Sequence, residues 1–167
     1  AFRRLQADFH RDAAGRYALW AGGANVRSAD RLAAFVELQS DERVIDVACG
    51  TGLVSRSLGI ARSNLEHMAV DLSPDMIAVA RGHTGGDIGV QYHVMDAHHL
   101  VFNDDMFDVA MLGQALGYFE DPWQALSEIR RVLKPNGRIA VSCRFRSLST
   151  PPQGGVFDSL ELRAVAR

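Results

Sequence analysis

The chain has 167 residues, 47% of them hydrophobic and 23% charged, with a formal net charge of −2. These values predict a globular domain with its own core. They offer no broad basic surface for a phosphate backbone, which argues against a nucleic-acid partner. No apolar run is long enough to span a bilayer, so no membrane span is expected. Cys49 and Cys143 are expected on strands too far apart to bridge, and free thiols favour a cytoplasmic location.

The N-terminal part is predicted to be helical. From residue 2 to residue 20, apolar side chains recur every three or four positions, which indicates an amphipathic helix. Gly22-Gly23 interrupts the pattern, and Ser28 then looks like the N-cap of a second helix. Residues 1–43 are therefore interpreted as a helical extension that precedes the core.

A buried strand and a glycine turn follow. Val44, Ile45 and Val47 predict the strand, which runs into Cys49-Gly50-Thr51-Gly52. Two of these residues lack side chains, so the backbone can approach a ligand closely. The next helix begins at the turn, and its unpaired N–H groups face whatever is bound. A second strand ends at Asp71, where a carboxylate can accept hydrogen bonds from both hydroxyls of a ribose. This arrangement predicts a nucleoside-containing cofactor.

The later elements alternate strands with helices. Ser73-Pro74 and Asp121-Pro122 each place a capping residue before a proline at the first helical position, which predicts two helix starts. A third strand, 90–95, lies between these helices, and a Pro135-Asn136-Gly137 turn precedes a fifth strand. The alternation indicates an α/β fold with a mostly parallel sheet and right-handed crossovers.

The glycine turn departs from the dinucleotide-binding pattern. In G-x-G-x-x-G, Gly50 and Gly52 would be the first two glycines, and Ser55 occupies the third position. An earlier frame begins at Ala48 and ends at Leu53, which is no better. The pyrophosphate-binding turn is incomplete, so a nicotinamide dehydrogenase is only a distant alternative.

The turn resembles motif I of the class I S-adenosylmethionine-dependent methyltransferases. The pattern acidic-x-Gly-x-Gly-x-Gly appears here as Asp46-Val-Ala48-Cys-Gly50-Thr-Gly52, with Ala48 as a small residue that still fits in place of the first glycine. The resemblance runs from about Val44 to Cys143. Its RVLKPNGR segment is typical of the small-molecule branch that includes the ubiquinone and menaquinone biosynthesis methyltransferases. Residues 44–143 are therefore predicted to form a Rossmann-like, doubly wound cofactor-binding core.

The resemblance implies S-adenosylmethionine as cofactor and S-adenosylhomocysteine as product. Asp71 would bind both ribose hydroxyls, Leu72 would pack on the adenine, and Asp96 would accept from the adenine amino group. Gln114 would lie on the methionine side, at the end of the fourth strand. The complete expected set is Asp46, Ala48, Gly50, Gly52, Asp71, Leu72, Asp96, Ala97 and Gln114. A side chain at Gly50 or Gly52 is expected to exclude the cofactor and leave the fold largely intact.

The resemblance further implies methyl transfer to a small organic acceptor, at oxygen or carbon, by inline displacement in a desolvated pocket. Family members often cover the site with N-terminal helices, so Tyr17 and Trp20 are candidates for lining the substrate, together with Tyr118. No catalytic base is assigned. His98 and His99 are interpreted as loop histidines. With two cysteines and no clustered ligands, no metal is expected.

The C-terminal tail, residues 144–167, is too short for the two-stranded hairpin that ends the family's sheet. The sequence therefore predicts a truncated domain that lacks strands six and seven, although the alternation at 160–163 permits one short strand. The fifth strand, about 138–143, would then be an exposed apolar edge that invites pairing with a second copy. Ala48 and the early end of the chain also leave an alternative, a cofactor-binding but inactive domain that serves as an interaction module.

Overall fold

The computed structural model describes residues 20–59, 66–84, 89–145 and 158–165. Six strands form one sheet: β1 (Val44–Val47), β2 (His67–Asp71), β3 (Val90–Val94), β4 (Phe107–Gly113), β5 (Leu133–Phe145) and β6 (Asp158–Val165). The helices are α1 (Trp20–Phe35), α2 (Leu53–Gly59), α3 (Pro74–Thr84) and α4 (Pro122–Val132), with a 3-10 turn at Leu116–Tyr118. None of the described helices is long and apolar enough to cross a membrane.

The strand order is β3-β2-β1-β4-β5-β6, and β1 to β5 are parallel. The chain moves outward from β1 to β3 and then crosses back to β4 on the other side of β1. The predicted Rossmann-like α/β fold is thereby confirmed. In such sheets, ligands bind at the carboxyl ends of the strands where the order reverses, here between β1 and β4.

Side chains from β1 supply the core on both faces of the sheet. All four of its residues are buried, as expected for a central parallel strand. Ile45 and Val47 pack in a cluster with Ile129 of α4, whereas Val44 packs on the opposite side with Leu32 of α1. Helices α1, α2 and α3 cover one face of the sheet and α4 covers the other.

The predicted break in the N-terminal helix is only partly right. Gly23 has a φ of 77°, so the glycine pair does disturb the regular backbone. Helix α1 nevertheless continues through it to Phe35. The prediction that Ser28 caps a second helix is wrong, because Ser28 is buried in the middle of α1. The expected starts of α3 and α4 are confirmed, with Asp121 Oδ1 accepting from the N–H groups of Trp123 and Gln124.

The predicted Pro135-Asn136-Gly137 turn lies inside β5 as an irregularity. Phe107 pairs with Leu133, but Val109 pairs with Arg138, so four residues of β5 lie opposite one residue of β4. A Cβ on Gly137 would lie 2.8 Å from the carbonyl oxygen of Lys134. The bend therefore requires glycine there, and regular pairing resumes at Arg138, where the fifth strand is predicted to begin.

The expectation that the fifth strand is an exposed edge is wrong. β6 pairs with β5 in antiparallel register, from Arg138 opposite Val165 to Phe145 opposite Asp158. The alternation at 160–163 thus corresponds to one strand, and the described residues contain no hairpin beyond β5. Pairing satisfies the outer backbone groups of β5, so the predicted association of two copies through that strand loses its basis.

Gly137→Ala is expected to destabilise the protein by about 1–3 kcal/mol, because the added methyl group must displace backbone at the β5 bend. Gly82→Ala is a matched control. A Cβ there meets no atom within 4 Å, and alanine favours a helix such as α3 by about 0.5–1 kcal/mol. Urea unfolding checks both changes. Equal stability of Gly137→Ala and the parent would contradict the bend.

Candidate functional site

A pocket of about 40 Å³ opens at the carboxyl ends of β1 and β4. Residues from α1, the glycine turn, the start of α2 and the ends of β4 and β5 line it. Its polar members are Asn25, Ser28, Asp46, Gln114 and Ser142. This volume holds a small polar group and not a whole nucleoside. The rest of a nucleoside cofactor would have to lie outside the pocket, across the turn.

The backbone of the glycine turn is left-handed at three alternate positions. The φ angles are 54° at Ala48, 56° at Gly50 and 76° at Gly52. Only glycine adopts this region freely, and an L-residue there costs on the order of 1 kcal/mol. Ala48 therefore fits the turn at an energetic cost, which explains the glycine at this position in the motif that the turn resembles.

The two glycines of the turn have different surroundings. A Cβ on Gly50 would meet no atom within 4 Å, so this part of the backbone is open to a ligand. A Cβ on Gly52 would lie 2.7 Å from Tyr92 Oη and 3.2 Å from Ala80 Cβ. The expectation that the fold tolerates a side chain at Gly52 stays a prediction, and these contacts argue against it because α3 and β3 close that side. Gly50 is the position where a substitution tests ligand binding.

Asp71 holds the turn against the start of α3. Its Oδ2 accepts from the N–H of Gly50 at 2.8 Å, and its Oδ1 accepts from the N–H of Ser73 at 2.9 Å. Each carboxylate oxygen can accept a further hydrogen bond, so this arrangement still allows a diol to bind. Leu72 follows with 42% of its surface exposed, which leaves its side chain accessible beside the carboxylate.

His98 joins the loop after β3 to the residue that caps α4. Asp96 Oδ1 accepts from the backbone N–H of His98 at 2.9 Å and lies 2.7 Å from its Nδ1. His98 Nε2 lies 3.3 Å from the N–H of Asp121 and accepts from it, so the ring proton belongs on Nδ1. Both ring nitrogens of this buried histidine are therefore engaged, which accounts for it without catalysis. His99 is exposed, and Ala97 is buried beside Asp96.

Asp46 is fully buried at the back of the pocket. Its Oδ2 accepts from the hydroxyl of Ser55 at 2.6 Å, and its Oδ1 has no hydrogen-bond partner. Burial raises the pKa of Asp46 to about 7, against the lowering effect of the Ser55 hydroxyl. An oxygen of this kind favours a donor-rich, cationic group in the pocket.

Gln114 supplies a second buried acceptor among the residues that line the pocket. Its φ is 58°, its N–H donates to the carbonyl of Ser142 at 2.8 Å, and its Nε2 donates to Ser28 Oγ at 2.8 Å. These bonds fix the amide, and its Oε1 is buried without a partner. A strained backbone that orients a side chain is a typical feature of functional sites. Asp46 and Gln114 together suit a group with several N–H donors, such as an ammonium.

Of the side chains predicted to line the substrate, the structure describes that of Tyr118. Tyr118 lies in the 3-10 turn with 42% of its surface exposed. Tyr17 lies outside the described residues, and only the backbone of Trp20 is described. Their roles stay predictions.

Sequence reasoning missed the polar side chains that α1 and β5 contribute. The sequence predicts a helix cap at Ser28 because serine is common there, but α1 passes it without a break. Ser142 interrupts an apolar run in the predicted fifth strand and is fully buried. A polar residue in a buried strand needs a hydrogen-bond partner, so Ser142 is the feature of the sequence that indicates a polar site at this strand.

Residues 45–141 match the family model described as a methyltransferase domain. The demethylmenaquinone methyltransferase of Clavibacter sepedonicus is 41% identical over 111 residues, which are 66% of this chain and 43% of that protein. The ubiquinone biosynthesis O-methyltransferase of Xylella fastidiosa is 36% identical over 113 residues, 66% of this chain and 45% of that protein. The chain thus matches less than half the length of these curated relatives.

A solved structure gives the same similarity. It is that of "Phospholethanolamine N-methyltransferase 2" of Haemonchus contortus, in complex with phosphomonomethylethanolamine and S-adenosylhomocysteine. Its TM-score to this chain is 0.64 at 30% identity, with 74% of this chain and 29% of that chain covered. The sheet and its flanking helices are therefore shared with this solved structure.

Asp46→Asn is expected to stabilise the protein at pH 8 by on the order of 2 kcal/mol. Burial raises the pKa of Asp46 from 3.8 to about 7, so the folded state binds this proton more tightly than the unfolded state does. Stability is consequently lost as pH rises through this range, and a neutral amide removes the loss. Urea unfolding at pH 5 and pH 8 should show a larger gain at pH 8.

Asp108→Asn is the control of opposite sign. Burial opposes ionisation of Asp108, but hydrogen bonds from Lys134 and from the N–H of Arg43 hold its pKa below the usual range. Its carboxylate therefore stabilises the fold above that range, and the variant should be less stable at both pH values. A gain for Asp46→Asn that is the same at both pH values would argue against a raised pKa.

Proposed function

We propose that this chain, which belongs to the methyltransferase domain family, binds S-adenosylmethionine between β1 and β4 and methylates a small organic acceptor. The observation that carries the proposal is that two residues lining the pocket, Asp46 and Gln114, each hold a buried acceptor atom without a hydrogen-bond partner, Oδ1 and Oε1 respectively. The amino group of the cofactor carries three N–H donors and a positive charge, and it is small enough for this pocket. The donor set and the cavity therefore fit the methionine end of the cofactor.

The remaining contacts follow along the surface of the turn. The open side of Gly50 would allow the cofactor to approach the backbone, and Asp71 would accept from the ribose hydroxyls. Exposed Leu72 would cover one face of the adenine, with Asp96 and Ala97 at its edge. These side chains lie along the carboxyl ends of β1, β2 and β3, the usual position for such a ligand.

When bound, the cofactor supplies a methyl group activated by a sulfonium. The chain then has to bind, orient and exclude water, and alignment of this kind contributes much of the rate. Ala29, Leu53 and Val54 give the pocket an apolar wall. A dry site favours a reaction in which the opposite charges of a sulfonium and an anionic acceptor disappear.

The acceptor has to react without a base from this pocket. In this proposal Asp46 is committed to the amino group of the cofactor, and none of the described residues that line the pocket is a histidine, lysine or tyrosine. An acceptor that ionises readily, or a ring carbon activated by a neighbouring phenolate, needs the least help. The names of the two curated relatives point the same way, since they act in menaquinone and ubiquinone chemistry. Hydroxylated aromatic rings methylated at oxygen or carbon are therefore the proposed acceptor class.

S-adenosylhomocysteine should bind the protein in calorimetry, and NAD should not. Asp71→Ala should weaken that binding by about 2–3 kcal/mol, because two hydroxyl donors lose a charged acceptor. Asp41→Ala, an exposed carboxylate before β1, is the matched control and should leave affinity unchanged. Undiminished affinity in Asp71→Ala would sink the ribose assignment. Affinity for S-adenosylhomocysteine without methyl consumption on a panel of hydroxylated aromatics would instead favour the interaction-module alternative.

Gly50→Ala should weaken S-adenosylhomocysteine binding by about tenfold or more, because its methyl group would occupy the open side of the turn. The left-handed φ of 56° adds a stability cost on the order of 1 kcal/mol. Calorimetry measures the affinity, and thermal melting checks that the fold survives. Gly52→Ala should instead lower the melting temperature strongly, since its Cβ meets Tyr92. Normal binding by a folded Gly50→Ala protein would place the ligand elsewhere.

Binding of S-adenosylhomocysteine should also weaken as the pH falls. Its amino group needs ionised Asp46, whose pKa burial raises to about 7. Below that value the carboxyl group is protonated, and affinity should fall by up to about tenfold for each pH unit. Above it, affinity should level off. Calorimetry from pH 5.5 to pH 8.5 checks the midpoint, and a flat profile would exclude Asp46 from binding.

A further inference from the structure

A chain of hydrogen bonds joins three buried polar residues behind the pocket. The hydroxyl of Ser55 donates to Asp46 Oδ2 at 2.6 Å and lies 3.2 Å from Nε2 of His67. Asp46 and Ser55 are 0% exposed, and His67 is 2% exposed. Burying three polar groups in one place is costly unless each is satisfied by another. Neither the fold nor the proposed cofactor contacts account for Ser55 and His67.

The sheet register brings these residues together. His67 begins β2 and pairs with Val44 of β1, and Asp46 follows two residues later on the same face. Ser55 lies in the first turn of α2, which covers that face. The series of hydrogen bonds therefore runs from β2 through α2 to β1 and ends at Asp46 Oδ2, the carboxylate oxygen opposite Oδ1.

We propose that Ser55 and His67 are positioning residues for Asp46: the chain from His67 Nε2 through Ser55 Oγ fixes Oδ2 and directs Oδ1 into the pocket. This inference rests on the proposed function, in which Oδ1 accepts from the amino group of the cofactor. The hydrogen bond at Oδ2 restrains rotation of the Asp46 carboxylate, so Oδ1 stays directed at its ligand. The side chain therefore loses less conformational freedom when the ligand binds.

The hydrogen bonds among His67, Ser55 and Asp46 can form in either protonation state of Asp46. When the carboxylate is ionised, Ser55 donates to it and must accept from an N–H at His67 Nε2. When Asp46 is protonated, both hydrogen bonds can reverse, and the imidazole proton moves to Nδ1. Burial lowers the pKa of His67 to about 4, so near neutral pH the ring changes tautomer and not charge. Asp46 Oδ2 keeps its partner in both states.

Other titratable groups near Asp46 do not replace this role. Burial raises the pKa values of Cys49 and Tyr92, so both are neutral at physiological pH. The nearby charge of Asp71 disfavours ionisation of Asp46, as burial does. Ser55 acts in the opposite direction, through its hydroxyl first and its backbone N–H second, and lowers the pKa of Asp46 toward the carboxylate that the amino group requires.

Ser55→Ala tests the chain through the pH dependence of S-adenosylhomocysteine binding. The expected result is about tenfold weaker binding at pH 8, with the midpoint of the pH profile moved upward, because the carboxylate loses the hydrogen bond from the Ser55 hydroxyl. Ser57→Ala is the matched control in the same helix. Ser57 donates to exposed Asp30 Oδ1 at 2.7 Å, away from the pocket, so affinity and midpoint should not change.

A pair of His67 variants separates positioning from packing. His67→Gln keeps an N–H donor for Ser55 and should retain the parent midpoint. His67→Leu removes the donor, and its midpoint should move upward. A purely structural role would alter the melting temperatures and leave both midpoints in place. Titration of the Asp46 carboxyl carbon by ¹³C NMR, assigned with Asp46→Asn, gives the same readout without ligand.

The outcomes distinguish the two proposals. If the parent binds no S-adenosylhomocysteine between pH 5.5 and pH 8.5, the proposed function fails and the positioning inference fails with it. If the parent binds, and Ser55→Ala keeps both its affinity and its midpoint, only the positioning inference is overturned. If Ser55→Ala does not fold, the His67 pair decides, and identical midpoints for glutamine and leucine would overturn it.

Discussion

The burial of one carboxylate in the central strand is the constraint on which the site depends. Asp46 interrupts a run of valine and isoleucine in β1, and no basic side chain lies against it among the described residues. An isolated buried charge is expensive, and the raised pKa of Asp46 expresses that cost. The surrounding structure limits the cost at Oδ2 through Ser55 and leaves Oδ1 for a ligand. Without a ligand, the protein is thus less stable than it would be with an apolar residue at position 46.

Two residues with strained backbone conformations line the same pocket. Ala48 and Gln114 are both non-glycine residues with left-handed backbones. They follow β1 and β4, the two strands between which the strand order reverses. Such conformations persist where the surrounding structure holds them. Gln114 is held by β5 through its N–H and by α1 through its side-chain amide. Strain and unpartnered acceptors are independent observations, and both point to the pocket between β1 and β4.

Local signals in the sequence located most of the fold, and tertiary contacts decided the rest. The apolar run of β1, the glycine turn and the caps of α3 and α4 act over a few residues, so their positions could be predicted. Ser28 has the chemistry of a cap but lies inside α1, since local preference yields to packing. Gly52 differs from Gly50 through Tyr92 and Ala80, which lie forty and twenty-eight residues away in the sequence. The partnership of Ser55 with His67 likewise depends on strand register, which a single sequence does not display.

The chemistry of the buried carboxylate joins stability to binding. A cation beside Asp46 Oδ1 lowers the free energy of the ionised form, which burial had raised. The proposed ligand therefore regains on binding part of what the fold gives up by burying Asp46. Replacing Asp46 with an apolar residue would remove the cost and the binding energy together. This compensation explains physically why an acidic residue can stand at a position where packing alone would favour valine, and why Ser55 and His67 are placed behind it.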